Sequence, residues 1–349
     1  MDDEHQENIL NEARKALYQH GYDSLQPIGN GGFASIYKIM SIQCMEEFAV
    51  KIIDISAEES PILPDSFQAE IHALTTMNHP NIIKIYDYFT SKRCLYIVLE
   101  YCHHGSLSDF IKEKSIGAPR LYQYCQEIIL AIEACHSYGL AHRDIKPSNI
   151  LVDKHGRVKL ADFGLSIHFP KIRSSKFVAC SLPYTAPEVL RHKATDPFKT
   201  DIWSLGVTFF EMSTGELPFI ANTVSGMIHE IDSTVIKSIP SVSFEFNSKL
   251  QRMLCVDPKH RISIRELRLS PVFQIKLKSG IMTQKSVNNL NPREPLLPMT
   301  KGFLSQTRNH FGRKRSVANM SKLVAHRTFH EEESFHGISG MSVWEYAYL

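Results

Sequence analysis

The sequence predicts an α+β protein in which a β-rich region is followed by a helix-rich region. Residues about 22–101 read as strands, with candidates at Phe48–Ile53 and Leu95–Glu100. One helical stretch, Asp65 to Met77, lies between those candidates, and helical periodicity dominates from about 106 to 273. We therefore expect two packed subdomains with a cleft between them, where ligands tend to bind.

The N-terminal residues predict a short amphipathic helix over residues 5–19. Its apolar positions recur at helical spacing: Ile9, Leu10, Ala13, Ala16 and Leu17. The preceding residues are acidic and lack the basic-then-apolar order of a secretory signal. The longest apolar runs, such as 128–132, are far shorter than the roughly 20 residues that span a bilayer. We expect an N-terminal helical extension at 1–21 and no transmembrane segment.

Composition is that of a soluble globular protein. The 349 residues are 43% hydrophobic and 22% charged, which excludes a collagen-like or wholly disordered chain. The net charge of +2 provides no field for nucleic acid or an anionic membrane. The seven cysteines are scattered and include no C-x-x-C pair, so we expect neither a disulfide framework nor a zinc site. A reducing compartment, the cytosol, is the expected location.

The last part of the chain differs in charge from the rest. From residue 276 onward 11 Lys and Arg stand against five Asp and Glu, a charge of +6, whereas the preceding residues sum to −4. Apolar periodicity is weak there, so 274–349 is predicted to be a basic, largely disordered tail. Its cluster at 313–315 is read as a solvated patch, a nuclear address or a site where a basophilic kinase modifies Ser316.

A glycine-rich segment and a strand lysine are the first candidates for chemistry. The segment is Ile28, Gly29, Asn30, Gly31, Gly32, Phe33, Ala34, Ser35 and Ile36. Its glycines let backbone N–H groups approach an anion, although a hairpin turn has the same composition. Lys51 lies in an apolar strand run and needs an anionic partner if it is buried, for which Glu70 is a candidate. An exposed edge-strand lysine is the alternative.

The segment from 140 to 152 carries the decisive pattern. Asp144, Lys146 and Asn149 place a carboxylate, an ammonium and a carboxamide at offsets 0, +2 and +5. Asp162 follows in an Asp-Phe-Gly sequence, and Ala-Pro-Glu ends at Glu188. With the glycine loop and the strand lysine, these motifs resemble the eukaryotic protein kinase family over about residues 22–273, in its order and spacing.

The resemblance implies a bilobal protein kinase fold, with a small antiparallel β-rich N-lobe that has one main helix and a larger helical C-lobe. It implies a protein kinase that uses ATP and Mg²⁺. Asp144 would be the catalytic base and Lys146 would steady the γ-phosphate. Asn149 and Asp162 would bind Mg²⁺, since hard oxygen donors suit that ion.

The resemblance also assigns the nucleotide-binding residues. Residues 28–36 would cover the phosphates, and Lys51, oriented by Glu70, would hold the α- and β-phosphates. The residues expected around adenine are Ile36, Ala49, Leu99, Glu100, Cys102 and Leu151. The third loop glycine is replaced by Ala34, a small residue that should not block ATP.

Supporting residues of the family are also present. Glu188 is expected to form a buried ion pair with Arg261, and Asp201 to support the His-Arg-Asp loop. The stacked apolar spine of the family would consist of Leu74, Ile85, His142 and Phe163.

Lys146 and Ser181 indicate the serine/threonine type, and the residues around Ser181 resemble the group of calmodulin-dependent and AMP-activated kinases. Cys180 replaces a usual glycine, as a packing variant or a regulatory thiol. Phe177 stands where related kinases have a phosphorylatable threonine. Activation is therefore constitutive or uses Ser174 or Ser175.

Substrate preference departs from the basophilic kinases. Ser106 and Ser148 replace the glutamates that select basic residues, and Asp109 is a partial substitute at best. We therefore expect no strong preference for arginine-rich peptides. Protein substrates are expected, with the tail as a candidate site for a partner or an upstream kinase. The nucleus is a second candidate location beside the cytoplasm.

Two other functions compete with this interpretation. A non-catalytic scaffold with a kinase fold is one, but such proteins commonly lack a residue of the catalytic set, and this chain has all five: Lys51, Glu70, Asp144, Asn149 and Asp162. A small-molecule kinase is the other; the Ala-Pro-Glu motif and the helices after it belong to peptide-substrate machinery.

Overall fold

The computed structural model describes residues 3–30, 34–54, 71, 75, 77–91, 94–113, 116–163, 167–168, 181–193 and 196–274, and of residues 3–9, 30, 113, 167 and 168 the backbone alone. All of these residues belong to one compact unit, Met1–Lys278. The predictions on the tail, on most of the stretch Asp65 to Met77 and on the segment around Cys180 lie outside the described residues.

The N-terminal region begins with a helix and continues as a sheet. Its elements are α1 (Asp3–Gln19), β1 (Tyr22–Asn30), β2 (Ala34–Ser41), β3 (Glu47–Asp54), β4 (Ile85–Ser91) and β5 (Cys94–Glu100). The strands form one sheet in the order β1-β2-β3-β5-β4, with antiparallel neighbours throughout. The helix predicted near the N-terminus and both strand candidates are confirmed.

Side chains of β3 alternate between two apolar clusters, one on each face of the sheet. Phe48, Val50 and Ile52 belong to the cluster that contains Ala13 and Leu17 of α1. The other cluster consists of Ile53, Ile71, Leu95 and Ile97. Because alternate side chains of a strand point to opposite faces, Lys51 lies on the face away from α1. The α1 helix is therefore an integral layer of the N-terminal region.

The C-terminal region is mostly helical. Its helices are α2 (Leu107–Glu113), α3 (Ala118–Ser137), α4 (Pro187–Leu190), α5 (Pro197–Thr214), α6 (Val224–Ser233), α7 (Phe244–Met253) and α8 (Ile264–Arg268). Short strands β6 (Leu140–Ala141), β7 (Ile150–Val152), β8 (Val158–Leu160) and β9 (Ile167–His168) pair as β6 with β9 and β7 with β8. None of the helices within the described residues has the length and apolar character that a membrane span requires.

The long helix α5 runs through the core of this region. Asp196 caps its start by accepting a hydrogen bond from the Phe198 amide, and Gly215 ends it with a φ of 82°. Trp203 is fully buried, and Arg261 lies over its ring at 5.1 Å. The helix carries Asp201 toward the segment that begins at His142, which positions the candidate site.

Candidate active site

The loop that follows β6 is held by hydrogen bonds to one buried carboxylate on α5. Asp201 is completely buried; its Oδ1 accepts a hydrogen bond from the Arg143 amide at 2.7 Å and its Oδ2 one from the His142 amide at 2.9 Å. The Nε2 atom of His136 lies 2.9 Å from the same Oδ2. The supporting role expected for Asp201 matches these contacts.

Two residues of the site have strained backbones. Arg143 and Asp162 have φ values of 71° and 63°, in the left-handed region that residues other than glycine rarely adopt. Such strain persists only where the surroundings hold it, as the carboxylate of Asp201 does at Arg143.

Three polar groups converge on the carboxylate of Asp144, which is 8% exposed. Its Oδ2 accepts a hydrogen bond from Asn149 Nδ2 at 2.8 Å and lies 2.8 Å from Lys146 Nζ. Its Oδ1 accepts a hydrogen bond from Ser181 Oγ at 3.3 Å, and Lys146 Nζ also donates to Ser181 Oγ at 2.7 Å. The lysine and the asparagine therefore fix the orientation of this carboxylate.

A second carboxylate, that of Asp162, faces the lysine of β3. Lys51 Nζ lies 3.1 Å from Asp162 Oδ1, and the Asp162 side chain is 48% exposed. Burial by itself raises the pKa of Asp162, but the charge and hydrogen bond of Lys51 outweigh it, so the pKa lies below its usual range. Asp162 is therefore an anion with oxygen lone pairs open to a ligand.

Backbone bonds join the loops of Asp144 and Asp162. The Ala161 amide donates to the Asn149 carbonyl at 2.9 Å, and His142 Nε2 lies 3.0 Å from the Ala161 carbonyl oxygen. A carbonyl oxygen only accepts, so the proton is on Nε2, and Nδ1 accepts the Asp144 amide at 3.3 Å. The rings of His142 and Phe163 are 4.7 Å apart, as expected for neighbours in the apolar spine.

The strand register places some of the predicted adenine-facing residues beside one another. On β3, Ala49 pairs with Leu99 and Phe48 with Glu100, at the end of β5. Leu151 of β7 bridges to Ser106, four residues after Cys102. Burial raises the pKa of the Cys102 thiol to about 12, so this thiol is a packing group.

The glycine-rich segment is described in part. Ile28 and Gly29 end β1, and Ala34, Ser35 and Ile36 begin β2; Gly29 pairs with Ile36. Asn30 closes β1, and Gly31, Gly32 and Phe33 lie outside the described residues, as do Glu70 and Leu74. The predicted pairing of Lys51 with Glu70 therefore stays a prediction.

The ion pair expected below the site is present. Arg261 donates to both carboxylate oxygens of Glu188, at 2.6 and 2.9 Å, and both side chains are buried. This pair joins α4 to the segment before α8.

Asp109 is held by its own helix. Its Oδ2 accepts hydrogen bonds from the Ser106 hydroxyl at 2.6 Å and the Ser106 amide at 3.1 Å. The carboxylate thus caps the start of α2, which leaves it less able to bind a basic substrate side chain.

Sequence reasoning missed Lys159. Its Nζ lies 2.8 Å from Glu100 Oε2, beside the predicted adenine site. The available signal was the one used for Lys51: a lysine within an apolar strand needs an anionic partner.

Comparison with known proteins agrees with this geometry. A family model described as "Protein kinase domain" matches residues 22–273. CBL-interacting protein kinase 10 of Oryza sativa subsp. japonica is 30% identical over 307 residues, covering 87% of this chain and 68% of the relative. CBL-interacting serine/threonine-protein kinase 2 of Arabidopsis thaliana is 32% identical over 305 residues, covering 85% of this chain and 66% of the relative.

A third relative, CBL-interacting serine/threonine-protein kinase 10 of Arabidopsis thaliana, is 32% identical over 288 residues, covering 81% of this chain and 60% of the relative. The chain thus spans between 60% and 68% of the length of these three relatives. The family resemblance and the α+β fold class predicted from the sequence are confirmed. The chain therefore belongs to the protein kinase family and carries a serine/threonine protein kinase domain, which uses ATP and acts on protein substrates.

Proposed function

We propose that this chain transfers the γ-phosphoryl group of Mg²⁺-bound ATP to serine and threonine hydroxyls, with Asp144 as the general base. The supporting observation is the convergence of Lys146, Asn149 and Ser181 on the Asp144 carboxylate. The Ser181 hydroxyl donates to Oδ1 at 3.3 Å, so this oxygen is accessible to an alcohol. A substrate hydroxyl in the same relation would give its proton to Oδ1 as it attacks.

The metal assignment rests on the donors at Asn149 and Asp162. Asn149 uses its Nδ2 atom toward Asp144, which leaves the carboxamide oxygen as a ligand, and the Asp162 carboxylate is half exposed. Hard oxygen donors of this kind fit Mg²⁺, and the ion would neutralise charge on the phosphates.

The remaining residues bind the nucleotide. Lys51 would hold the α- and β-phosphates, oriented by Glu70, under the backbone of residues 28–36. Lys146 would hold the γ-phosphate, since it already lies between Asp144 and Ser181. Adenine would bind against Ala49, Leu99 and Leu151 with the backbone of 100–102.

The test is phosphate transfer from labelled ATP by the full chain to a general protein substrate. The Asp144→Asn variant should lower kcat by about 10²–10⁴-fold while ADP binding is retained, because the lost base acts on the acceptor hydroxyl. Phosphoamino acid analysis should yield phosphoserine and phosphothreonine. Equal incorporation by both proteins, or phosphotyrosine as the main product, would contradict the proposal; a wild-type chain without transfer would favour the scaffold function.

The tail is proposed to bind a regulatory partner. The relatives are named CBL-interacting, and residues 276–349 carry the excess positive charge of this chain. A CBL protein should bind the full chain and lose affinity for a chain that ends at Lys278; unchanged affinity would exclude this role.

We further propose that the protein acts in the cytoplasm and also enters the nucleus, which microscopy of the tagged chain tests.

A further inference from the structure

A partly buried ion pair joins the end of β5 to the middle of β8. Lys159 Nζ lies 2.8 Å from Glu100 Oε2, and the two side chains are 7% and 20% exposed. Glu100 belongs to the segment proposed to face adenine, and Lys159 precedes Asp162 by three residues. The pair thus connects the two parts of the chain to which the proposed function assigns opposite ends of one nucleotide.

Backbone hydrogen bonds connect the same two strands a second time, through the segment 81–84. The Leu160 amide donates to the Asn81 carbonyl at 2.8 Å, and the Ile83 amide donates to the Leu160 carbonyl at 2.9 Å. At the other end, the Glu100 amide donates to the Lys84 carbonyl at 2.9 Å. The segment 81–84 therefore lies between β8 and Glu100, and the Lys159–Glu100 pair links them directly.

Fold stability is a weak reason for this pair. Removing two charges from water costs more than their attraction commonly returns, so apolar residues would fill such a site equally well. Within the described part of the chain, Glu100 is the one carboxylate that lies within ion-pair distance of Lys159. What the pair provides is a fixed spacing, since a buried pair holds its partners at one distance.

We propose that Lys159 and Glu100 are positioning residues that fix residues 100–102, the hinge segment, relative to Asp162 and thereby set the affinity for ATP. The inference rests on the proposed function, because it requires adenine at residues 100–102 and the phosphates near Asp162. If residues 100–102 and Asp162 are already at the correct spacing, a nucleotide that contacts both does not have to order them, so binding costs less free energy. The pair does not contact the transferred phosphoryl group, so it acts on binding and leaves the chemical step unchanged.

The test uses the full chain and measures KM for ATP, kcat at saturating ATP and ADP affinity by calorimetry. Lys159→Met should raise KM for ATP and the ADP Kd by about three- to tenfold, with kcat within about twofold of wild type. Lys159→Arg keeps the charge and should restore wild-type affinity. Unchanged affinity in Lys159→Met, or a lower kcat at unchanged KM, would overturn the proposal.

A double variant and a control keep the test decisive if Lys159→Met folds poorly. Glu100→Gln/Lys159→Met leaves no unpaired buried charge, so it should fold, and it should still show the raised KM. Glu47→Gln breaks a more exposed cluster beside the same hinge, with Lys38 at 3.0 Å and His103 at 3.2 Å, and should leave KM unchanged. Wild-type KM in the double variant would overturn the proposal, as would a rise in Glu47→Gln equal to that in Lys159→Met. A wild-type chain that neither binds ADP nor transfers phosphate would instead overturn the proposed function.

Discussion

The Glu188–Arg261 and Lys51–Asp162 pairs join the same kinds of charged group in two different surroundings. Arg261 and Glu188 are 0% and 3% exposed, and the guanidinium also donates to three backbone carbonyl oxygens. Asp162 is 48% exposed and keeps carboxylate lone pairs toward solvent. A fully satisfied buried pair braces the fold, whereas a carboxylate that is half open to solvent has capacity left for a ligand.

The largest expected effect comes from breaking the buried pair. Glu188→Gln leaves the Arg261 charge buried without its counter-ion, so the free energy of unfolding should fall by about 3–5 kcal/mol. Urea unfolding followed by circular dichroism measures this loss. The control is Arg252→Ala, which removes the exposed pair with Glu266 and should cost about 1 kcal/mol or less. Equal losses in the two variants would contradict the role given to burial.

The open pair should respond in the opposite way. Lys51→Met removes a cation that meets developing charge on the phosphates, so kcat/KM for ATP should fall by about 10²–10³-fold. The free energy of unfolding should change by about 1 kcal/mol or less, because water replaces the lost contact at the half-exposed Asp162. Peptide phosphorylation and urea unfolding of the same preparation provide both numbers. A large loss of stability would place Lys51 with the structural pairs.

The smallest expected effect concerns Glu266 and is a change in the free energy of unfolding with pH. A hydrogen bond from the Ser263 amide, with contacts from Arg252 and the Ser263 hydroxyl, lowers the pKa of Glu266 from 4.5 to about 2. A lowered pKa stabilises the fold above the unfolded value, and this contribution is lost as pH falls from 4.5 to about 2. The stability difference between wild type and Glu266→Gln should be constant above about pH 5 and become smaller as pH falls from 4.5 toward 2. A difference that stays constant between about pH 5 and pH 2 would contradict this assignment.

Local sequence patterns sufficed for part of the structure. Strand β3 is a short apolar run and helix α1 carries clear periodicity, and the motif order placed Asp144 and Asn149 on one loop and Asp201 beneath it. The two-residue strands β6 and β9 were missed because so short a segment has no period to detect.

Long-range side-chain contacts were harder to predict. The Lys159–Glu100 pair joins residues 59 apart along the chain, and nothing in either local sequence specifies the other. The sheet face that α1 covers could not be predicted either, because apolar spacing shows which side of a helix is buried but not the surface against which it packs. Asp109 was a candidate for substrate binding, but its carboxylate accepts a hydrogen bond from the Ser106 hydroxyl at the start of α2.

The helix α1 determines where this protein can be truncated at its N-terminal end. The family model begins at Tyr22, yet Ala13, Ala16 and Leu17 bury the outer side chains of the sheet, among them Phe48. A shortened chain that begins at Tyr22 would expose that apolar face to water and would self-associate. The unit that keeps this face covered therefore starts at α1, upstream of the boundary that family similarity alone would draw.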